Sequence, residues 1–240
     1  MDYRRKFYSK YVSTHTSYFG KTDIKNIRKK FPVWNYYYAR FLPKNKKIKI
    51  LDVGCGEGGF VYWLHEKKYK NAFGIDISKE QIKLGIKLGI NNIKQVDLFK
   101  FLKDKKEKYD IIFARDLVEH FKKEEILDLL NLFYKSLRQK GKAIIQVPNA
   151  EGPFGTHYLY SDFTHELAFT ERSLNQIFKL MGFNHIHCYS VPPPQVGLIS
   201  RGRFFLWKII EGMLRFYTLI EIGSPRGIFT RNIICEVIKS

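Results

Sequence analysis

A chain of 240 residues with 45% apolar side chains has the length and the core material for one large α/β domain with additions. Its net charge of +19 raises nucleic acid as a partner, but the excess is lysine scattered through every segment, as in 44–49 and 100–108. No nucleic-acid partner is therefore expected, while an anionic membrane surface or a phosphate-bearing acceptor would gain from the same charge. The basic, aromatic start from Met1 to Lys10 has no apolar run behind it, which argues against a secretory leader, and no uninterrupted apolar stretch is long enough to span a bilayer.

Residues 1–31 show no clear period and carry Tyr3, Phe7, Tyr8, Tyr11, Tyr18 and Phe19 among Arg and Lys. Pro32 then opens an aromatic helix from Val33 to Leu42, so 1–47 is set apart as an arm and helix ahead of a main domain at 48–240. From Ile48 strand and helix patterns alternate. Strands fall near 48–53, 72–76, 93–96, 109–114 and 142–147, and helices near 59–68, 79–88, 98–104, 122–138 and 171–181. Such alternation predicts a parallel sheet with right-handed crossovers. Ile126, Leu129, Leu130, Phe133 and Leu137 share one helix face, and Gly141 is expected to stop that helix. Gly182-Phe183 closes the helix before a strand near 184–190, and a last strand lies near 232–238. The three cysteines Cys55, Cys188 and Cys235 are widely spaced, which suits a reducing cytoplasm with no disulfide. Cys188 and Cys235 sit in the two late strands and read as small core residues.

The stretch Ile50 to Phe60, ILDVGCGEGGF, joins an apolar strand to a helical pattern through glycines. Glycine at such a turn lets the chain bend sharply and lets a ligand approach bare backbone at a helix N-terminus. Gly54, Gly56 and Gly59 match GxGxxG, so a dinucleotide fold is considered. Asp52, two residues before the first glycine, is poorly placed beside a pyrophosphate and well placed for a cationic amino group. A second strand then ends at Asp76, where a carboxylate can accept both hydroxyls of a ribose.

These residues resemble motif I and its downstream acid in the class I S-adenosylmethionine (SAM) dependent methyltransferases. The resemblance implies SAM as cofactor and a Rossmann-like seven-stranded α/β sheet, mostly parallel with the last strand antiparallel, flanked by helices. It implies that Asp52 with Gly54, Gly56 and Gly58 holds the methionine and sugar end, that Asp76 holds the ribose and that Ile77 packs on adenine. Asp97 and Leu98, at the end of the third strand, meet the adenine edge, although Asp97 is also a fitting N-cap for the next helix. Tyr109 to Phe121, YDIIFARDLVEHF, resembles motif IV and sends Arg115, Asp116, Glu119 and His120 out at the same sheet edge. Arg115 is placed at the cofactor, and His120 becomes a candidate general base oriented by Glu119 or Asp116, or else a helix cap. The arm would either fold over the cofactor cleft or pack as a surface arm.

The segment 149–169 is too long for a plain connection and is read as the acceptor loop. His157, Tyr158, Tyr160 and Glu166 are assigned to the acceptor, because rings and carboxylates suit a hydroxylated ligand such as a sugar. His165 with Asp162 could be a base and its orienter, or Asp162 could cap the turn. His157, Asp162, His165 and Glu166 also offer metal ligands, but their spacing fits no metal motif, so no metal is expected. The run SDFTHELAFTERSL, with Ile228 to Asn232, resembles methyltransferases encoded beside bacterial surface-polysaccharide enzymes. That resemblance implies O-methylation of a sugar or glycosylated small molecule in surface polysaccharide biosynthesis. The alternatives are a lipid- or quinone-like acceptor, RNA, and a SAM-binding partner without catalysis.

Residues 191–231 form an insertion before the last strand. Three prolines from Pro192 make a stiff exit, and 203–222 read as one helix of roughly 30 Å, apolar over most of its circumference. It is expected to serve as a lid or homodimer contact, as a peripheral membrane contact at the inner face, or as a wall of the acceptor pocket.

Overall fold

Two short helices open the described chain, α1 (Tyr3–Ser9) and α2 (Tyr11–Thr14). The computed structural model describes residues 3–14 and 22–240, so Tyr18 and Phe19 lie outside the described residues. In α3 (Ile24–Lys29) the Asp23 carboxylate accepts the Asn26 N–H as an N-cap. The aromatic helix α4 (Phe31–Tyr38) carries Pro32 in its first turn, where a missing N–H costs nothing, and tightens into a 3-10 turn at Ala39–Phe41.

Strand and helix then alternate as β1 (Ile50–Val53), α5 (Gly59–Glu66), β2 (Ala72–Asp76), α6 (Lys79–Lys87), β3 (Ile93–Gln95), α7 (Leu98–Leu102) and β4 (Tyr109–Arg115). A short 3-10 turn at Val118–His120 leads to α8 (Lys123–Ser136), β5 (Leu137–Pro148), α9 (Gly155–Leu159), α10 (Glu171–Leu180), β6 (His185–Ser190), α11 (Leu198–Ile222) and β7 (Asn232–Ile238). One seven-stranded sheet results, ordered β3-β2-β1-β4-β5-β7-β6. All its pairs are parallel except those of β7, which runs antiparallel to β5 and β6.

The period of two along each strand divides the core. Leu51, Val53, Ile112 and Ala114 face α8 and α10 side chains such as Phe133 and Phe178, while Ile50, Ile111 and Phe113 face Tyr38, Phe60 and Trp63. The chain steps outward from β1 to β2 and β3, then returns to place β4 on the other flank of β1. The carboxyl ends of β1 and β4 therefore lie side by side with their outgoing loops diverging, and open α/β sheets bind ligands in such a crevice.

Three expectations are corrected. The amphipathic helix does not run to Gly141. It ends at Ser136, because Leu137 is fully buried in extended conformation opposite Tyr109, and the strand bulges before resuming at Lys142 opposite Ile111. Cys188 and Cys235 are not separate core thiols: antiparallel pairing of β6 with β7 sets them directly opposite each other and they form a disulfide. The late helix starts at Leu198, well before Arg203, and none of its residues lines the cleft described below. Phe205, Ile209, Met213 and Phe216 stand exposed on it. No helix among the described residues is long and apolar enough to cross a membrane.

Candidate active site

The glycine turn is tied to β2 from above. Gly54 and Cys55 donate N–H bonds to the Ile75 carbonyl, and Gly56 donates to Asp76 Oδ2 at 2.8 Å. The other Asp76 oxygen accepts from the Ser78 N–H at 2.7 Å. Burial pushes the Asp76 carboxyl above its usual range against the pull of these two donors. Gly56 has φ +56°, and a Cβ there would meet nothing nearer than the Gln81 side chain at 3.9 Å, so its backbone lies open to the cleft.

Gly58 is different. Its φ is +82° and a Cβ would fall 2.7 Å from Ile93 Cγ2, so it packs α5 against β3 instead of touching a ligand. Gly58→Ala is expected to cost about 3 kcal/mol from the left-handed backbone and overpacking together. The melting temperature should drop by roughly 6–12 °C, while SAM affinity of the folded protein stays within a few-fold of wild type. Calorimetric unfolding and a titration check both, and a normal melt with lost binding would restore Gly58 to the ligand wall.

Above the turn lies a cleft of about 290 Å³. Gly54, Gly56, Asp76, Ile77, Asp97 and Leu98 line one end. Ile77 is 44% exposed there and offers an apolar side chain to the cleft. Asp97 accepts the Lys100 N–H as N-cap of α7 and still lines the cleft. Asp52 and Arg115 are not on the wall. Asp52 is 1% exposed and pairs with Arg115 at 3.4 Å, and the guanidinium lies 3.8 Å over the Phe60 ring. That pair braces the turn from beneath, and burial drives the Asp52 carboxyl upward against the attraction of Arg115.

Arg4, Tyr8, Tyr11, Asp116 and His120 line the other end. Asp116, at φ +51°, is held by the Gln146 amide at 2.9 Å. The arm reaches this end through several anchors. The Arg4 guanidinium bonds both Glu125 oxygens at 2.6 and 2.7 Å, Tyr11 donates to Asp162 Oδ2 at 2.7 Å, and Ser78 Oγ donates to the Tyr8 carbonyl. The Arg4 bond holds the Glu125 carboxyl below its usual range. A lowered folded-state value means that this anchor is present at neutral pH and is lost as pH falls through that value. The protection factors of α1 amides, corrected for the intrinsic exchange rate at each pH, are expected to fall on that descent in wild type and to be low at both ends in Arg4→Ala. Wild-type protection factors that do not change with pH would discard the anchor.

His120 is 7% exposed, and its Nδ1 lies 2.9 Å from Thr164 Oγ1. The Thr164 hydroxyl has a single proton, which goes to Asp162 Oδ1 at 2.7 Å. Burial works upward on Asp162, but the Thr164 N–H, Tyr11 and Thr164 hydroxyls hold its carboxyl below the usual range, so it is the stronger acceptor. Thr164 must then accept from His120 Nδ1–H, so in the neutral imidazole Nε2 is the lone-pair nitrogen. Thr164 thus orients His120 where Glu119 or Asp116 was expected to, and nothing in its local sequence marks it for that role.

His165 is not paired with Asp162. Its Nδ1 donates to the Tyr158 carbonyl at 3.0 Å, and its ring packs 4.7 Å from the His120 ring. Among the described residues, Glu119, His120 and His165 bring one ligand atom each within 4.8 Å of one another. Of the four residues weighed above as metal ligands, this set contains His165 alone. Glu119 is fully buried with no hydrogen-bond partner on either carboxylate oxygen among the described residues. Burial, with Asp116 and Asp162 nearby, pushes its carboxyl well above the usual range.

The remaining loop residues do not reach the cleft. Asn149 and Phe169 bridge at the base of the loop, with Ala150 N–H on the Phe169 carbonyl at 2.7 Å, so most of 151–168 is looped out. His157 is exposed, Tyr160 is 81% exposed, Tyr158 lies under the Arg231 guanidinium at 3.8 Å, and Glu166 accepts from Tyr3. The segment from Asp162 to Leu167 turns back, with the Glu166 and Leu167 N–H groups on the Glu119 carbonyl at 2.8 and 3.2 Å.

This sheet order, with a glycine turn and acid-ended strands around one crevice, defines a class I SAM-dependent methyltransferase. The chain belongs to the methyltransferase family whose model, described as a methyltransferase domain, matches residues 27–188. It is 38% identical over 96 residues to probable (S)-tetrahydroprotoberberine N-methyltransferase 2 of Papaver bracteatum, covering 37% of this chain and 24% of that protein. It is 33% identical over 101 residues to phosphoethanolamine N-methyltransferase 3 of Arabidopsis thaliana, covering 40% of this chain and 20% of that protein. The chain therefore matches less than a third of the length of these curated relatives. A SAM-dependent methyltransferase from Archaeoglobus fulgidus shares the fold with a TM-score of 0.65 at 21% identity, covering 88% of this chain and 94% of that one. The open Gly56 backbone, the Asp76 and Asp97 carboxylates and the exposed Ile77 face fit the SAM nucleoside.

Proposed function

We propose that this methyltransferase acts on the hydroxyl of a small, polar, sugar-like acceptor in the cytoplasm, within surface polysaccharide biosynthesis. The observation that carries a small acceptor is that Arg4, Tyr8 and Tyr11 of the arm line the cleft together with Asp116 and His120. SAM, when bound, supplies a methyl group activated on a sulfonium. Asp76 and Asp97 hold the ribose and adenine edge, and Ile77 covers the base. Tyr8 and Tyr11 exclude water, which strengthens every polar contact inside. His120, with its tautomer set through Thr164, activates the acceptor oxygen, and Asp116 receives its neighbouring hydroxyls. The exposed apolar face of α11 is the part of the chain that would rest on the inner membrane surface.

A second reading, methyl transfer to the amine of a phosphate-bearing small molecule, is favoured by relatives named as N-methyltransferases. Incubation with methyl-labelled SAM and two acceptor sets, nucleotide sugars and phosphoethanolamine, separates the readings. Label in the sugar set supports the first, and label confined to phosphoethanolamine replaces it with the second. Activity on RNA that collapses with salt would sink both.

A further inference from the structure

We propose that Glu119, His120 and His165 bind one divalent transition-metal cation beside the acceptor end of the cleft. The proposal deepens the small-acceptor reading, on which its catalytic role rests, while the site itself rests only on these three side chains and their supports.

Glu119 is a bare carboxylate. Glu119 is 0% exposed, and neither of its oxygens has a hydrogen-bond partner among the described residues. A carboxylate without a donor inside a protein is costly by several kcal/mol, and proteins relieve that cost by pairing, protonation or coordination. Three donor groups also converge on one point. Ligand atoms of the three residues lie within 4.8 Å of one another although His165 comes from a distant loop. Ligands sharing one cation at about 2.1 Å lie about 3–4 Å apart, so small side-chain rotations close the set.

Both histidines, moreover, are held as metal ligands are held. Metal-binding histidines donate the ring N–H that does not face the metal to a carbonyl or similar acceptor, which fixes the ring and the tautomer. His165 Nδ1–H does this on the Tyr158 carbonyl, and His120 Nδ1–H does it on Thr164 Oγ1, itself fixed by Asp162. Both rings thereby carry their lone pair on Nε2. The loop carrying His165 is also fastened to the Glu119 backbone by the Glu166 and Leu167 N–H groups. A mere core packing of two imidazoles against a carboxylate does not call for a matched tautomer in both.

Two imidazoles and one carboxylate favour Mn²⁺, Fe²⁺, Co²⁺ or Zn²⁺ over Mg²⁺ or Ca²⁺, which prefer oxygen throughout. Three protein ligands leave positions for acceptor oxygens, and His120 sits on the cleft wall. With the cation bound, His120 acts on the acceptor oxygen through the metal and not as proton acceptor: the acceptor hydroxyl loses its proton to cleft water as its oxygen forms the new bond to the methyl carbon. The broken carbon–sulfur bond leaves its electron pair on sulfur. The cation supplies Lewis acidity and orientation with no change of oxidation state.

The test uses the full chain, stripped with a chelator and titrated with Co²⁺ and Zn²⁺. One equivalent should bind with micromolar or tighter affinity, and Co²⁺ should show the visible bands of mixed nitrogen and oxygen ligation. Glu119→Gln and His165→Asn should each weaken binding at least tenfold, and His157→Ala should leave it unchanged. SAM binding by each variant shows that it is folded, and if Glu119→Gln fails that check, His165→Asn decides alone. Absence of saturable binding below millimolar, or full binding in the folded variants, overturns the site. Undiminished methyl transfer by stripped protein in chelator overturns the cation's role and leaves the methyltransferase reading intact. A bound cation with no transfer to any small acceptor does the reverse.

Discussion

Asp76→Ala is expected to weaken SAM binding at least about 100-fold, the largest loss at the nucleoside end. The Asp76 carboxylate accepts from Gly56 N–H at 2.8 Å and from Ser78 N–H at 2.7 Å, so it fixes both the turn and the start of α6. Each charge-assisted bond is worth about 1.5–3 kcal/mol, and 100-fold in affinity requires about 2.7 kcal/mol. Loss of the turn's support alone is therefore sufficient, before any contact with a ribose is counted. Asp76→Asn should lose less, because one oxygen still accepts, although its amide now faces a backbone N–H. Isothermal titration with SAM on variants that melt as wild type measures this. Affinity within tenfold of wild type in Asp76→Ala would remove Asp76 from the site.

The parts of this protein that sequence reasoning reached are those fixed by local pattern. Near-continuous apolar runs in Ile50–Val53 and Tyr109–Arg115 need burial on both faces, which a central parallel strand supplies. The alternation with helices then leaves few topologies, and the sheet edge carrying Gly56, Asp76 and Asp116 follows from them. What was not legible depends on where distant segments return. Cys188 and Cys235 are 47 residues apart, and only the β6–β7 register sets them face to face. Gly58 looks like its neighbour Gly56, and the difference lies in Ile93 arriving over one and not the other. His157 and Tyr160 have the right chemistry for an acceptor, but the Asn149–Phe169 bridge loops them outward. Arg115 reads as a cofactor residue until burial beside Asp52 gives it a partner.

The same dependence on a returning loop governs the acceptor end, where His120→Asn is expected to lower kcat about 10³-fold with SAM affinity unchanged. Loss of a positioned proton-transfer or activating group costs about 10²–10⁴ in rate. Asparagine suits the test because its amide N–H can replace Nδ1–H on Thr164 while nothing replaces Nε2. The substitution therefore removes the activating nitrogen and spares the support beneath it. Thr164→Val should act through the same imidazole at lower cost, about tenfold to 100-fold in kcat, the range typical when the partner that orients a functional histidine is lost. Its effect should appear as a shifted pH profile of kcat, because the His120 tautomer is no longer fixed, and a merely structural threonine would leave that profile in place. Asp162 lies one bond further out and also receives Tyr11, so Asp162→Asn should loosen the arm as well as the histidine and raise KM together with the fall in kcat. Single-turnover rates at saturating SAM separate these effects. A wild-type kcat in His120→Asn would end the assignment of activation to this residue, and a loss confined to KM would make it an acceptor-binding group instead.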